Sequence, residues 1–422
     1  MQNLIVMTRF KLIQRFKDPL YKNSMFLITS SLLNAVTGFT FWIIATRLYS
    51  VEDVGLASAT ISAVMLLHLF SLMGFDISLT HYLPMYKGNK SKLITSCMAI
   101  VFIISFILAL IFIKVLDVWF PALMWIKKDS ISLLSFIIFT ISASLVSLQT
   151  LGIFVGLRKA KYSFIQTLLL SLVKLGTLTL LVDFGAYGIF MSYTLASILT
   201  FIVGLILTLR VINLYPSIPR IEKELTLFKI LHYSLGNYIA KIFSMIPNYF
   251  LPILVLNVLG AKQSAYFYIA WIISSLLLAI PIWTSHTMLA EGSYNLKELK
   301  RISLKALRLI LLFLIPASFG VAVLGKYILL FFGTDYVINS FDTLLILSLA
   351  SVPYAFNIVY LTVKRIKEEI WIVIIAYGFL AIFTLLVSYV LLPIMGIIGV
   401  GISWLLGNGI IMIAIITRQF HN

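Results

Sequence analysis

Apolar residues run for twenty or more positions at a time along this 422-residue chain, and polar residues collect in short intervals between the runs. Twelve runs stand out, at 25 to 46, 54 to 74, 93 to 113, 131 to 157, 162 to 182, 188 to 209, 234 to 258, 265 to 289, 306 to 325, 341 to 363, 370 to 392 and 395 to 416. A helix needs about 20 apolar residues to cross a bilayer core, so each run predicts a membrane-spanning helix. The expected fold class is all-α integral membrane. No interval between runs exceeds about 25 residues, which leaves no room for a separate catalytic domain of the usual 50 or more.

Inside the spans the polar residues fall on faces. In the fifth, Ser163, Thr167, Ser171, Lys174 and Thr177 recur at steps of three or four, and in the seventh Ser234, Asn237, Lys241, Ser244 and Asn248 do the same. The first span adds Ser30, Asn34 and Thr37, and the fourth adds Thr140, Ser144 and Ser147. Steps of three and four keep residues on one side of a helix. Serines and threonines in such rows are ordinary helix-packing residues. Lysines are not. A lysine at the centre of a span costs about 2.5 to 3.5 kcal/mol on insertion scales, and giving up its proton at pH 7 costs about 4.6 kcal/mol from its reference value. A charged, wetted side chain is the expected state. All fifteen acids fall in loops or at span ends, so neither lysine is expected to have an acidic partner at its own depth. Two readings follow: a hydrated cavity that meets an anionic substrate, or structural lysines satisfied by carbonyls, with Lys241 able to snorkel.

The two halves of the chain resemble each other. "SLLN" at 31 to 34 matches "SLGN" at 234 to 237, "RKAK" at 158 to 161 matches "KRIK" at 364 to 367, "TLLV" recurs at 179 and 384, and "GAYGIFMSYTL" from 185 parallels "GIIGVGISWLL" from 396. Duplication of a six-span unit is expected, with both copies entering from the same side and related by a pseudo-two-fold along the membrane normal. Transporters built so commonly hold substrate between the halves. The expected division is a basic amphipathic surface segment at 1–23, a first lobe at 24–213, a linker at 214–232 and a second lobe at 233–422.

Composition sharpens this picture. Hydrophobic residues make up 61% of the chain and charged ones 11%, against roughly 25% charged in soluble domains. The net charge of +17 would suggest nucleic acid in a soluble protein, but its distribution argues otherwise. Of the 32 Lys and Arg, 24 lie in one alternate set of connections and the N-terminal segment, and only six (Arg47, Lys114, Lys127, Lys128, Lys262 and Lys326) lie in the other. By the positive-inside rule both termini are cytoplasmic. The charge excess is a topology signal, and no nucleic-acid partner is expected. The single Cys97 excludes an intramolecular disulfide and reads as a small packing residue. Prolines 247, 252, 281, 316 and 353 are expected to kink second-half spans. His68 stands alone in the second span and reads as a hydrogen-bonded packing residue, with a proton relay as the sharper alternative. No H-E-x-x-H, Walker loop or CxxC occurs. No cofactor or metal is expected.

"RLYSVEDVGLASATIS" after the first span, "GLRKAKYS" between the fourth and fifth, "AEGS" after the eighth and "LLFFGTDYVINSFDTLLILSLASVPYAFN" across the ninth and tenth resemble the polysaccharide-export, Wzx-type flippases of the MOP transporter superfamily. The resemblance spans nearly the whole chain. It implies a V-shaped, MATE-like pair of six-helix lobes. It also implies alternating access that carries a polyprenyl-pyrophosphate-linked oligosaccharide across the cytoplasmic membrane for cell-surface glycan synthesis. Glycan-assembly proteins and membrane lipids would be its partners. Cationic cavity residues in such proteins are thought to meet pyrophosphate or acidic sugars.

The residues expected to line the site are Lys174 and Lys241 for phosphate, Asn34, Asn237 and Asn248 for sugar or phosphate hydrogen bonds, and Arg47 on the exit path. A multidrug exporter of the same superfamily is the nearest alternative, but it generally uses membrane-embedded carboxylates, and no span here has an Asp or Glu in its middle. A membrane-embedded glycosyltransferase or ligase is the alternative from another class. Such enzymes generally need acidic catalytic groups or a large external loop, and only short loops carry acids here. The chain is expected not to be an enzyme.

Overall fold

The computed structural model describes residues 19–86, 88–213 and 227–420. Most of the expected basic surface segment at 1–23 and of the linker at 214–232 lies outside the described residues. Twelve helices are long and apolar enough to cross a membrane, and no strand occurs among the described residues. In chain order the helices are α1 (Pro19–Leu48), α2 (Val51–Ser71), the short α3 (Phe75–Tyr82), α4 (Lys90–Trp119), α5 (Ser130–Ser147), α6 (Ala160–Leu180), α7 (Gly185–Asn213), α8 (Leu227–Leu259), α9 (Ala261–Tyr294), α10 (Leu299–Leu330), α11 (Thr334–Ile366), α12 (Ile370–Met395) and α13 (Ile397–Phe420). All but α3 are spans. Below, the ends of the bundle are called the basic side, where α1 begins, and the opposite side, where it ends.

Local chemistry sets several helix starts. The side chains of Ser50, Asn89 and Asp129 accept the N–H of Asp53, Lys92 and Ser132, satisfying amides that the first turns of α2, α4 and α5 would leave bare. The Ser132 N–H holds the Asp129 carboxyl below its usual range. At the starts of α7 and α13, Gly185 and Gly396 take φ of 55° and 62°, a left-handed conformation suited to glycine.

The halves pack by one scheme. In the first, α1 pairs with α6, α6 with α7, α5 with α7, α4 with α5, and α2 with α5 and α4; in the second, α8 pairs with α12, α12 with α13, α11 with α13, α10 with α11, and α9 with α11 and α10. Each pairing has its counterpart, so the chain is two six-helix lobes of like topology. The repeat register differs from three of the four short matches. Helix ends Leu48 and Leu259 lie 211 apart, helix starts Val51 and Ala261 lie 210 apart, and the left-handed turn residues Arg158 and Glu368 lie 210 apart. "GAYG" and "GIIG" are in register with this spacing, whereas the tetrapeptides offset by 203 to 206 fall one or two helical turns short.

Two local features depart from the expected spans. The second span stops at Ser71, turns through Met73 and Gly74 with φ of 45° and 78°, and continues as α3. The fourth passes from α5 into a π-helical stretch, Leu148–Ile153, and one further turn, Phe154–Gly156. These two irregular pieces pack on each other. A Cβ on Gly152 would stand 3.2 Å from the Asp76 Cα and one on Gly156 would stand 2.6 Å from the Leu79 carbonyl, so only glycine allows so close a seat. The Thr80 hydroxyl bonds the Leu151 carbonyl at 2.8 Å, on π-helical backbone. Cys97 is fully buried in the apolar cluster beside Phe75, Leu79 and Phe154, as expected of a packing residue.

Between the lobes, α2 lies against both α8 and α9, and α3 lies against α8. Pro247 and Pro252 in α8, Pro281 in α9, Pro316 in α10 and Pro353 in α11 lie inside helices that continue through them.

Candidate functional site

Lys241 lies on α8, in the second lobe, and its Nζ donates to Asp76 Oδ2 of the first at 2.6 Å. This corrects the expectation that neither span lysine has an acidic partner. Asp76 follows the second apolar run by two residues, so position alone reads it as a loop acid. The turn at Gly74 sends α3 back against the bundle and buries it to 5% exposure. Phe75, Leu79 and Leu83, four apart and fully buried, are the signal that could have revealed this. Lys241 remains 30% exposed and so can be reached from the space beside α8. One turn earlier, the Tyr238 hydroxyl donates to the carbonyls of Leu69 and Phe70 at 3.2 and 2.9 Å, a second tie between α8 and α2. His68 lies in electrostatic reach of both Lys241 and Asp76, and among the described residues its Nδ1 and Asp76 Oδ1 have no hydrogen-bond partner.

Lys174 is placed differently. It is 4% exposed, and its Nζ stands 4.8 Å from the Tyr193 ring centre and 5.2 Å from that of Phe41. Among the described residues neither an acid nor a carbonyl is its partner, and two ring faces from α1 and α7 flank it. The cage continues across the lobes: Phe41 meets Tyr193 edge-on at 4.9 Å and Trp42 at 5.3 Å, and Trp42 meets Tyr268 of α9 at 4.7 Å. Sequence periodicity picked out the lysine and missed the rings, because aromatic residues are ordinary in membrane spans.

The amides do not converge on one point. Asn34, midway along α1, and Asn237, near the basic end of α8, are exposed. Asn248 donates to the Ser244 carbonyl of its own helix at 3.1 Å. Ser234 lies outside the residues whose side chains are described. The Ser and Thr rows mostly bond back to carbonyls one turn earlier, with cross-helix bonds from Thr37 to Ser171 (2.9 Å) and from Ser163 to the Thr150 carbonyl (2.7 Å).

On the opposite side the lobes are in contact. Arg47, at the end of α1, donates to the Phe331 carbonyl at 2.8 Å and also to that of Leu330, at the end of α10. Phe39 meets Phe332 edge-on at 5.3 Å. Lys262 pairs with Glu52 at 3.3 Å, and a Cβ on Gly55 would overlap the Ala261 carbonyl. The Asn257 side chain bonds the Ala122 N–H and the Trp119 carbonyl, both at 3.3 Å. Among the described residues no group of three His, Cys, Asp or Glu could hold a metal ion.

The family model for "Polysaccharide biosynthesis protein" matches residues 20–285, well over half of the chain. The chain belongs to the polysaccharide biosynthesis protein family. Solved structures agree on the fold of this family member. "Lipid II flippase MurJ, inward closed conformation" aligns with TM-score 0.70 and 15% identity over 94% of this chain and 87% of that one. An inward-facing multidrug resistance MATE family transporter of the MOP superfamily aligns with TM-score 0.66 and 16% identity over 90% and 92%. A MOP superfamily transporter from Pyrococcus furiosus, described by a reverse polarity of its binding pocket, gives TM-score 0.61 and 14% identity over 95% and 93%. These neighbours are transporters and flippases. No curated protein matches this family member in sequence. It is a multi-pass membrane protein that shares the fold of these MOP superfamily structures.

Proposed function

We propose that this protein is a flippase that moves a polyprenyl-pyrophosphate-linked oligosaccharide from the cytoplasmic to the outer leaflet of the cytoplasmic membrane by alternating access, and that it catalyses no covalent step. The carrying observation is a partly exposed cation of the second lobe, Lys241, set away from the apolar and polar contacts that join the lobes on the opposite side. Residues of the first and second halves seal the opposite side, from Arg47 and the Leu330–Phe331 carbonyls to Gly55 and Ala261. From mid-span toward the basic side, Asn34 and Asn237 are exposed and Lys241 is partly exposed, among other polar positions such as Ser31 and His286. An amide or ammonium facing hydrocarbon would lose its hydrogen bonds at a cost of several kcal/mol. A wet groove between the lobes would satisfy these groups, and a diphosphate and its sugars would use the same donors.

With the basic side in the cytoplasm, as the charge bias indicates, a cytoplasm-facing state that accepts substrate from the inner leaflet would form once the Tyr238 and Lys241 ties on that side are released. The lobes would be 24–213 and 233–422, joined by the linker at 214–232. In this scheme Lys241 is the reachable cation, and Lys174, enclosed by Phe41 and Tyr193, supplies positive potential through the ring cage. Arg47 guards the exit. Glycan-assembly proteins would receive the product.

The polysaccharide biosynthesis family and the likeness in fold to a lipid II flippase support an amphiphilic, anionic cargo. The multidrug reading needs a free membrane carboxylate for a cationic cargo, and the buried carboxylate beside the spans, Asp76, is already bonded to Lys241. The decisive experiment deletes the protein from its host and profiles lipid-linked glycans. Accumulation of one such lipid in the inner leaflet, reversed by the wild-type protein and not by Lys174→Gln/Lys241→Gln, supports the proposal. An unchanged lipid profile overturns it.

A further inference from the structure

We propose that Asp76 is an internal stand-in for the cargo's phosphate: it occupies Lys241 when the site is empty, and only a multiply charged phosphate headgroup displaces it. The inference rests on the flippase reading and adds a residue and a selection rule to it.

The geometry is that of an exchangeable pair. The Lys241 side chain is 30% exposed and that of Asp76 5%, so an approaching ligand meets the lysine first and the carboxylate scarcely at all. Asp76 is single-point bonded. Oδ2 accepts a hydrogen bond from the lysine ammonium at 2.6 Å, while Oδ1 is buried with no partner among the described residues. A carboxylate kept for stability ordinarily has both oxygens satisfied. This one is held from behind instead, by the seat of α3 on Gly152 and Gly156 and by the Thr80–Leu151 bond. The backbone therefore fixes Asp76 in place, and the lysine is the partner free to move.

Selectivity follows from charge. A singly charged ligand offers Lys241 no more than Asp76 already does, and in leaving Asp76 it strands a buried carboxylate. A diphosphate brings two or more charges and several acceptor oxygens, and each charge-assisted bond is about twice as strong as a neutral one. The exchange has a mechanical result, because Asp76 belongs to the first lobe and Lys241 to the second. Capturing the cargo severs an ionic tie between the lobes and leaves the Tyr238 hydrogen bonds and the packing of α8 on α2 and α3 beside it. Asp76 is thus a positioning residue that acts through Lys241.

The test measures binding of farnesyl pyrophosphate and farnesyl monophosphate to the full-length protein in detergent. Asp76→Asn is expected to bind the pyrophosphate about tenfold tighter than wild type and to lose much of the preference over the monophosphate. Asp76→Glu, which restores a carboxylate, returns both toward wild type. The charge-swapped variant Asp76→Lys/Lys241→Asp keeps a neutral pair and a wild-type melting temperature, yet loses pyrophosphate binding, because its cation is now the buried member. A purely structural salt bridge predicts that the swap binds as wild type does. If Asp76→Asn does not fold, Asp76→Ser, which also removes the carboxylate, decides by the same two affinities. Unchanged or weakened pyrophosphate binding by folded Asp76→Asn, or wild-type binding by the swap, overturns the inference alone. No binding by the wild type or any variant overturns the flippase reading and the inference together.

Discussion

Lys241 and Asp76, 165 residues apart in sequence, form a 2.6 Å ion pair that joins the second lobe to the first. Charge counting along the chain leaves Lys241 without a partner, because the acid that meets it lies beyond the end of an apolar run and reaches the bundle only through the turn at Gly74.

Removing one partner of this pair should cost more than removing both. Lys241→Gln leaves Asp76 buried and unpaired, and breaking buried pairs in this way costs about 3 to 5 kcal/mol. Since Lys241 is partly exposed, a loss near the lower end is expected. Asp76→Asn/Lys241→Gln should recover most of it. Thermal unfolding of the four members of the cycle in detergent checks the coupling, and additive single effects would show that the pair is inert.

The Lys174 cage predicts opposite signs for stability and transport. Lys174→Met swaps a buried charge for an apolar chain of similar length, a change that is often neutral or stabilising, so its melting temperature should hold or rise while flipping in proteoliposomes falls. Tyr193→Leu removes one ring face from the ammonium and should destabilise by about 1 kcal/mol. Tyr193→Phe retains the ring and should not. Equal losses from Leu and Phe would mean that the hydroxyl matters and the ring does not.

The contact of Gly55 with Ala261 gives a steric handle on the closed side. Gly55→Ala places a methyl group on a carbonyl in the sealed state and should drive the lobes apart there. With Glu52→Cys and Lys262→Cys introduced across the same seam, disulfide yield should drop several-fold on adding Gly55→Ala. Arg47→Ala, which releases the Leu330 and Phe331 carbonyls, should act in the same direction. An unchanged yield in both would place the seal elsewhere.

Each lobe also hides an amide node. Gln166 donates to Gln149 at 2.8 Å and to the Thr200 carbonyl at 3.3 Å, and accepts from Thr150; in the second lobe Asn357 donates to the Asn408 carbonyl at 2.9 Å. Both link the fourth and sixth helices of their lobe, the first by way of the fifth. Gln166→Leu strands buried partners, and each unsatisfied group costs about 1 to 3 kcal/mol. A fall in melting temperature without a change in farnesyl pyrophosphate affinity is expected of the folded fraction.

The spans were legible because hydrocarbon tolerates so little backbone outside helices that length and apolarity alone locate them. The faces bearing Lys174, Lys241, Asn34 and Asn237 were legible from helical periodicity. What periodicity does not encode is a change of path. The π-helical stretch at Leu148–Ile153 alters the helix without altering its composition, and the turn at Met73–Gly74 folds α3 inward by long-range packing on Gly152 and Gly156. The partner of Lys241 depends on both. The register of the repeat is obscured in the sequence for a similar reason. Tetrapeptides rich in Leu and Lys recur by composition, while the glycines that must be left-handed, Gly185 and Gly396, mark the true spacing.

Treated as mechanics, the seat of Gly55 on Ala261 is a fulcrum and α2 is the arm. From Gly55 to Phe70 that arm measures about 22 Å at 1.5 Å per residue. A tilt of about 5° at the fulcrum therefore displaces the far end by about 2 Å, further than the Tyr238 hydrogen bonds can stretch. No large rearrangement is needed to undo the ties on the basic side, so a contact between a glycine and a carbonyl at one face of the membrane sets how finely the other face must be held.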